Sequence, residues 1–228
     1  MKILIKLSII KVVVTTLVIQ LVICVNIFSQ ETIERFEFKK AHIKMERTTT
    51  AAGIKTTTSK DIYIDNHGNN MASYETERRE IPMSNTVEET KTVIITDGNV
   101  VTTYNPDTME GTRVEIEGMD KFAGMSDDEA KQYAEQMGQA MSTEVTEAGT
   151  GEVAGVTCTV QKAVTDMMGM KTTTTTWYYK KFVMKQVSVG DVVNFNEAAT
   201  LFEEDADFDP SLLLVRDEVH ITNLELPD

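Results

Sequence analysis

The sequence predicts a mainly β chain, α+β by class, in which antiparallel strands share the fold with one amphipathic helix. Three observations carry this. Runs rich in Thr, Val, Ile and aromatic residues alternate apolar and polar positions along most of the 228 residues. Dense turn signals separate them, at Asp65-Asn66-His67-Gly68-Asn69-Asn70, Asp97-Gly98-Asn99 and Gly190-Asp191. A single stretch, residues 126–141, changes to helical period.

The chain opens with the plan of a secretory leader. Lys2, Lys6 and Lys11 form a basic region, residues 12–25 are apolar but for Thr15, Thr16 and Gln20, and polar Glu31-Thr32 follows. Cleavage is expected after Gln30, giving a signal peptide over 1–30 and a single β-rich domain over 31–228. A retained membrane anchor is the rival, because the apolar region approaches spanning length; no basic flank follows it. Leu21-Val22-Ile23-Cys24 is a poor lipobox: Ile23 is not small and the residues after Cys24 stay apolar. The expected location is the periplasm or the extracellular space, with no stable membrane span after cleavage.

In the mature part, Phe36, Phe38, Ala41, Ile43 and Met45 alternate with a phase change at Lys39-Lys40, which reads as a first strand with a bulge or a bend. Ala51-Ala52-Gly53 turns the chain into a second strand over 54–64. After the turn at 65–70 the partner strand covers 71–80, so the first three strands form an antiparallel meander. Residues 81–89, with Pro82, read as a loop; 90–96 and 100–104 are strands joined through Gly98, and Asn105-Pro106-Asp107 ends the second of them. Residues 112–116 make a short sixth strand.

The helix begins at a capping box, Ser126-Asp127-Asp128-Glu129, whose acidic residues also suit the positive end of the helix dipole. Ala130, Tyr133, Ala134, Met137, Ala140 and Met141 then share one face. Strands are expected again over 151–164, 171–187 and 192–202, the middle one long enough to bend. An acidic loop covers 203–210 and a mixed apolar segment 212–226.

Charge and cysteine usage narrow the function. The whole chain carries a formal charge of −14. Removing residues 1–30 takes three lysines, leaving 19 basic against 36 acidic residues, a charge of −17 on 198 residues. Such a surface repels phosphate backbones, so nucleic acid is not an expected partner. With Cys24 in the leader, Cys158 stands alone and reads as a small buried apolar residue in an alternating strand.

Two short motifs carry a resemblance. Asp97-Gly98 followed by Tyr104-Asn105-Pro106 is similar to a hairpin of the LolA-like envelope proteins. Gly155-Val156-Thr157-Cys158, then Trp177, then Glu197-Ala198-Ala199-Thr200 resembles the order of motifs in small exported bacterial proteins grouped as DUF4412-like. The Gln30 ending and the strand motifs look similar to those of Bacteroidota. The resemblance implies an antiparallel sheet curled into an incomplete barrel with the helix on its concave face. It also implies a binding function with no catalytic residues. The chain departs from the LolA pattern in showing one clear helix instead of several.

The functional expectation is an exported periplasmic or envelope protein, not an enzyme, that binds or carries an acyl or lipid-like ligand between sheet and helix. The expected partner is therefore a lipid or a lipoprotein acyl chain. Tyr133, Met137, Met141, Met168 and Trp177 are the candidate ligand-binding residues, since methionine adapts to varied apolar shapes. Core filling is the plainer role for any one of those methionines, and a core place with flanking tyrosines the plainer role for Trp177. The alternative function is a non-catalytic structural or interaction protein of the envelope with a filled core. No GxSxG, HExxH or paired metal-ligand spacing is present. No cofactor or metal is expected: Met167-Met168-Gly169-Met170 is a sparse set for Cu(I), and Asp205-Ala206-Asp207-Phe208-Asp209 fails as an EF-hand loop at Pro210 and Arg216. The oligomeric state is not specified by the sequence.

Overall fold

A computed structural model describes residues 34–51, 54–81, 86–116, 143–167, 170–190 and 193–224. The alternating runs become twelve strands: β1 Ala41–Ala51, β2 Ile54–Asp65, β3 Asn70–Ile81, β4 Thr86–Asp97, β5 Val100–Asn105, β6 Glu110–Glu115, β7 Thr143–Val153, β8 Val156–Met167, β9 Met170–Tyr179, β10 Phe182–Gly190, β11 Val193–Glu204 and β12 His220–Leu224. They form one sheet in the order β12-β6-β5-β4-β3-β2-β1-β11-β10-β9-β8-β7. The chain meanders outward from β1 to β6 and resumes at the far margin with β7. It then meanders back until β11 pairs with β1. All pairings are antiparallel except β6 with β12, which returns parallel to it.

The margins do not join, so the sheet is open. It nonetheless curls. Val153 and Cys158, from the β7–β8 end, share an apolar cluster with Ile43 of β1 and Ile62 and Ile64 of β2. Phe38, Ala41, Met45, Phe182, Met184 and Ala199 complete it. We call this side the inner face. A second cluster, on the outer face, joins Ala72, Val93, Ile95 and Tyr104 to Val219 of the C-terminal segment.

Several boundaries differ from the sequence expectation. The first strand starts at Ala41, not Phe36; residues 35–39 bend instead, and Phe36 and Phe38 stack at 5.2 Å over the end of the inner cluster. The irregularity expected at Lys39-Lys40 lies between Lys44 and Met45, where β1 meets β11. The expected loop over 81–89 is strand from Thr86 onward, because its charged residues pair in register with β3. The strand expected over 151–164 is a hairpin of β7 and β8, turning at Ala154-Gly155 with both residues at positive φ. The long bending strand over 171–187 is likewise a hairpin, β9 and β10, turning at Lys180-Lys181 with φ of 45° and 71°. Two lysines at left-handed φ carry no ordinary turn signature, which is why the strand read as continuous.

The amphipathic helix expected over 126–141 lies outside the described residues. Among the described residues the helical turns are short 3-10 turns at Asn66–Gly68 and Pro210–Leu213, and no helix is long and apolar enough to cross a membrane.

Candidate functional site

The inner face changes chemistry along the strands. Residues paired directly across strands project from the same face, so register shows which side chains meet. At one end the rows are apolar: Ile43 pairs with Ile62 and with Phe202, and Ala41 with Ile64. Two residues further along, Met45 pairs with Lys60, and Lys60 with Glu75. The next row is polar across six strands: Gln186, Glu197, Arg47, Thr58, Glu77 and Thr90.

Ion pairs knit these two rows together. Lys60 Nζ lies 2.9 Å from Glu197 Oε1 and 3.6 Å from Glu75 Oε1. Their side chains are 15%, 10% and 17% exposed. Ser73 Oγ donates to Glu75 Oε1 at 3.0 Å. Arg47 Nη2 donates to Thr58 Oγ1 at 3.3 Å and stands 4.0 Å from Glu77 Oε2. Glu197 Oε1 is buried, and the Lys60 ammonium at 2.9 Å is its partner among the described residues. Thr58, Thr176, Gln186 and Glu197 are all buried.

Burying such groups is costly unless they are well paired, and an apolar replacement of similar volume is often at least as stable. The strip is therefore weak evidence of a stabilising role. Its electrostatics are unbalanced: two cations, Arg47 and Lys60, face three carboxylates, Glu75, Glu77 and Glu197. The local sequence explains how it forms. Arg47 continues the inward parity of Ala41, Ile43 and Met45, and Lys60 that of Ile62 and Ile64. That parity is the one signal that could have located the strip from sequence. Charge works against that signal, because a charged strand residue ordinarily faces water.

The candidate residues chosen from sequence fall differently. Tyr133, Met137, Met141 and Met168 lie outside the described residues. Trp177 is in β9, partly buried against the inner cluster together with Tyr179. Lys185 Nζ stands 4.7 Å from the centre of its ring. A β-carbon at Gly151 would come 2.6 Å from Trp177 Nε1, so the neighbouring strand can approach the indole only with glycine there. Trp177 thus flanks the apolar cluster, on the opposite side of β9 from its neighbour Thr176. Cys158 is fully buried and free, and burial pushes its thiol pKa up, as suits a packed residue.

The outer face is closed by the chain itself. Tyr74 Oη donates to the Leu212 carbonyl at 2.8 Å, and the Phe208 ring meets Tyr63 at 5.2 Å. His42 stacks on Tyr63 at 4.8 Å, with Nε2 2.6 Å from Asp61 and Nδ1 3.1 Å from Glu203. The acidic loop has a structural part: Asp209 Oδ1 caps the 3-10 turn by accepting from the Ser211 amide at 2.9 Å. Among the described residues no group of three or more His, Cys, Asp or Glu is placed to hold a metal ion.

No protein-family model matches the sequence, and no curated protein matches it. Solved structures do. PNGF-II is similar over 82% of this chain and 32% of its own, at 14% identity and a TM-score of 0.35. MucB, in its complex with MucA(peri), is similar over 81% of this chain and 56% of its own, at 12% identity and a TM-score of 0.40. A DUF1329 family protein from Desulfovibrio piger is similar over 78% of this chain and 90% of its own, at 11% identity and a TM-score of 0.33. The chain thus spans less than two thirds of the PNGF-II and MucB chains. At TM-scores of 0.40 and below these likenesses transfer neither a fold family nor a function to the chain.

Proposed function

We propose that this chain is an exported envelope protein that binds an acyl-bearing amphiphile on the inner face of its open sheet, without catalysing a reaction. One observation carries the reading: the half-buried ionic strip of Arg47, Lys60, Glu75 and Glu197 runs directly beside apolar rows on one continuous face. An apolar rim with a few convergent polar groups is the usual make-up of a small-molecule site. The acyl chain would lie toward Trp177 and Met45, and its polar end on the ionic strip. Export rests on the leader pattern of residues 1–30, and the resemblance to LolA-like and DUF4412-like envelope proteins points the same way.

A second reading has its own support. Phe38, Ile43, Ile64 and Met184 are fully buried, so the apolar end of the inner face is already packed. That favours an envelope interaction protein with a filled core, whose partner is a macromolecule.

Native mass spectrometry of residues 31–228, purified from a bacterial periplasm and paired with lipid extraction, separates the two. A discrete acyl species near one per chain is the expected result. A clean unliganded mass, with no uptake of added fatty acid or lipopeptide, would sink the first reading and leave the second.

A further inference from the structure

Two-residue hairpin turns normally place Asn, Asp or Gly where the backbone takes a positive φ. The β9–β10 hairpin instead uses Lys180 and Lys181, at φ of 45° and 71°, between the paired residues Tyr179 and Phe182. The β7–β8 turn, of the same length, has Gly155 at the second of these positions. Left-handed backbone is costly for a long side chain, and such strain persists chiefly where it serves a function. On a chain of formal charge −14, two lysines are thus held at a turn that Asn-Gly would suit better.

These lysines have company. The Glu37 amide donates to the Lys180 carbonyl at 3.2 Å, which sets Lys39 and Lys40 beside the hairpin. The acidic neighbours are Glu37, Glu204 and Asp205, whose amide donates to the Lys40 carbonyl at 2.9 Å. Lys180 Nζ is taken by Glu204 at 2.6 Å, and Lys40 Nζ stands 4.2 Å from the centre of the Phe208 ring. Lys39 and Lys181 form no ion pair among the described residues. The chain enters the sheet at this same end, where the Phe36 amide donates to the His67 carbonyl at 3.1 Å. Residues 26–33 separate this entry from the apolar stretch 12–25, a reach of at most about 28 Å. While that stretch lies in a bilayer, the lysine end is held near the bilayer surface.

We propose that Lys39, Lys40, Lys180 and Lys181 form a docking surface for the anionic headgroups of a lipid bilayer, which turns the β9–β10 end of the sheet toward the membrane. An ammonium is a compact donor that phosphate oxygens accept, and each lysine near an anionic surface adds to the attraction. The surface is separate from the inner face and does not depend on what that face binds.

Flotation of residues 31–228 with lipid vesicles at low salt tests this. One set of vesicles holds phosphatidylglycerol and phosphatidylcholine in equal parts, the other phosphatidylcholine alone. Binding is expected to the first set only, and should fall as salt is raised. Lys39→Gln/Lys181→Gly should weaken it about thirtyfold, the equivalent of about 1 kcal/mol for each lysine. Glycine suits a φ of 71°, so Lys181→Gly alone should raise the thermal unfolding midpoint while still weakening binding. Loss of folding cannot produce that combination. Lys55→Gln/Lys171→Gln removes the same charge from exposed positions at the other end of the sheet, and should bind as the wild type does. No flotation with either set would overturn the proposal, as would an equal loss in the variant of Lys55 and Lys171. A lowered midpoint for Lys181→Gly would show that the lysine serves the turn itself, and would overturn it too. Binding of a polyglutamate peptide in place of vesicles would overturn it in favour of an acidic polypeptide partner.

Discussion

The two faces of one sheet solve the same problem in different ways. The outer face buries Ala72, Val93, Ile95 and Tyr104 under the C-terminal segment, which is tied down by Tyr74 to Leu212 and by Phe208 against Tyr63. The inner face buries its apolar end under Phe36 and Phe38 and against Val153 and Cys158, then gives way to ions. Closing the outer face pairs the Tyr74 hydroxyl with the Leu212 carbonyl and leaves the buried Tyr104 hydroxyl without a hydrogen-bond partner among the described residues. The inner strip sets three carboxylates, Glu75, Glu77 and Glu197, against two cations, Arg47 and Lys60. We propose that recognition lies on the inner face, where an apolar row of similar volume would often serve stability at least as well.

The comparison can be broken most severely at the apolar end. Phe38→Ala removes a ring stacked on Phe36 and edged against Phe182 and Phe202. A loss of about 3–5 kcal/mol is expected in denaturant unfolding, as for other buried aromatic truncations. The ionic strip should respond differently. Lys60→Met leaves Glu75 and Glu197 unpaired and should cost about 2 kcal/mol, reduced from the fully buried case by the partial exposure of the site. The triple variant Lys60→Met/Glu75→Leu/Glu197→Leu should recover that loss or exceed wild-type stability, while abolishing amphiphile binding. A triple variant as unstable as Lys60→Met would show that the strip is structural.

The outer face offers a smaller contrast between two phenols. Tyr74→Phe deletes a 2.8 Å hydrogen bond to Leu212 and should cost about 1 kcal/mol. Tyr104→Phe removes a buried hydroxyl with no hydrogen-bond partner among the described residues, and is expected to be neutral or slightly stabilising. Thermal unfolding of both variants checks the pair. The smallest effect is with alkali. Burial pushes the Tyr74 and Tyr104 phenols above the ordinary tyrosine value, with Arg216 pulling both partly back. Their folded pKa exceeds the unfolded one, so their contribution is intact below the unfolded pKa and is lost as pH rises through the folded one. Spectrophotometric titration should show phenols that ionise late, and Tyr104→Phe should remove one of them.

Much of the meander was legible in the sequence. Turns at 65–70 and 97–99 use Asn, Asp and Gly, whose side chains and φ freedom announce a reversal, and β2 through β5 follow from them. The β9–β10 hairpin was hidden because Lys180 and Lys181 occupy left-handed conformations without any such signature. The parallel return of β12 beside β6 depends on tertiary packing at Val219 and Ile221, which no local period records. The ionic strip was hidden for a different reason. Arg47, Lys60, Glu75 and Glu197 are scattered over 150 residues and meet only once four strands take their register. Their inward parity beside Met45, Ile62 and Ile64 is present in the sequence, but a charged strand residue ordinarily faces water. Cys158 shows the converse: its place in an alternating strand was enough to predict a buried, packed thiol.

The proposal that the inner face recognises a ligand and the outer face serves closure is tested most directly by amide chemical-shift mapping with added fatty acid. The account predicts shifts at Met45, Arg47, Lys60, Glu75 and Glu197, and none beyond noise at Tyr63, Tyr74, Tyr104 and Val219. Shifts concentrated on the outer set, or spread evenly over both, would contradict it.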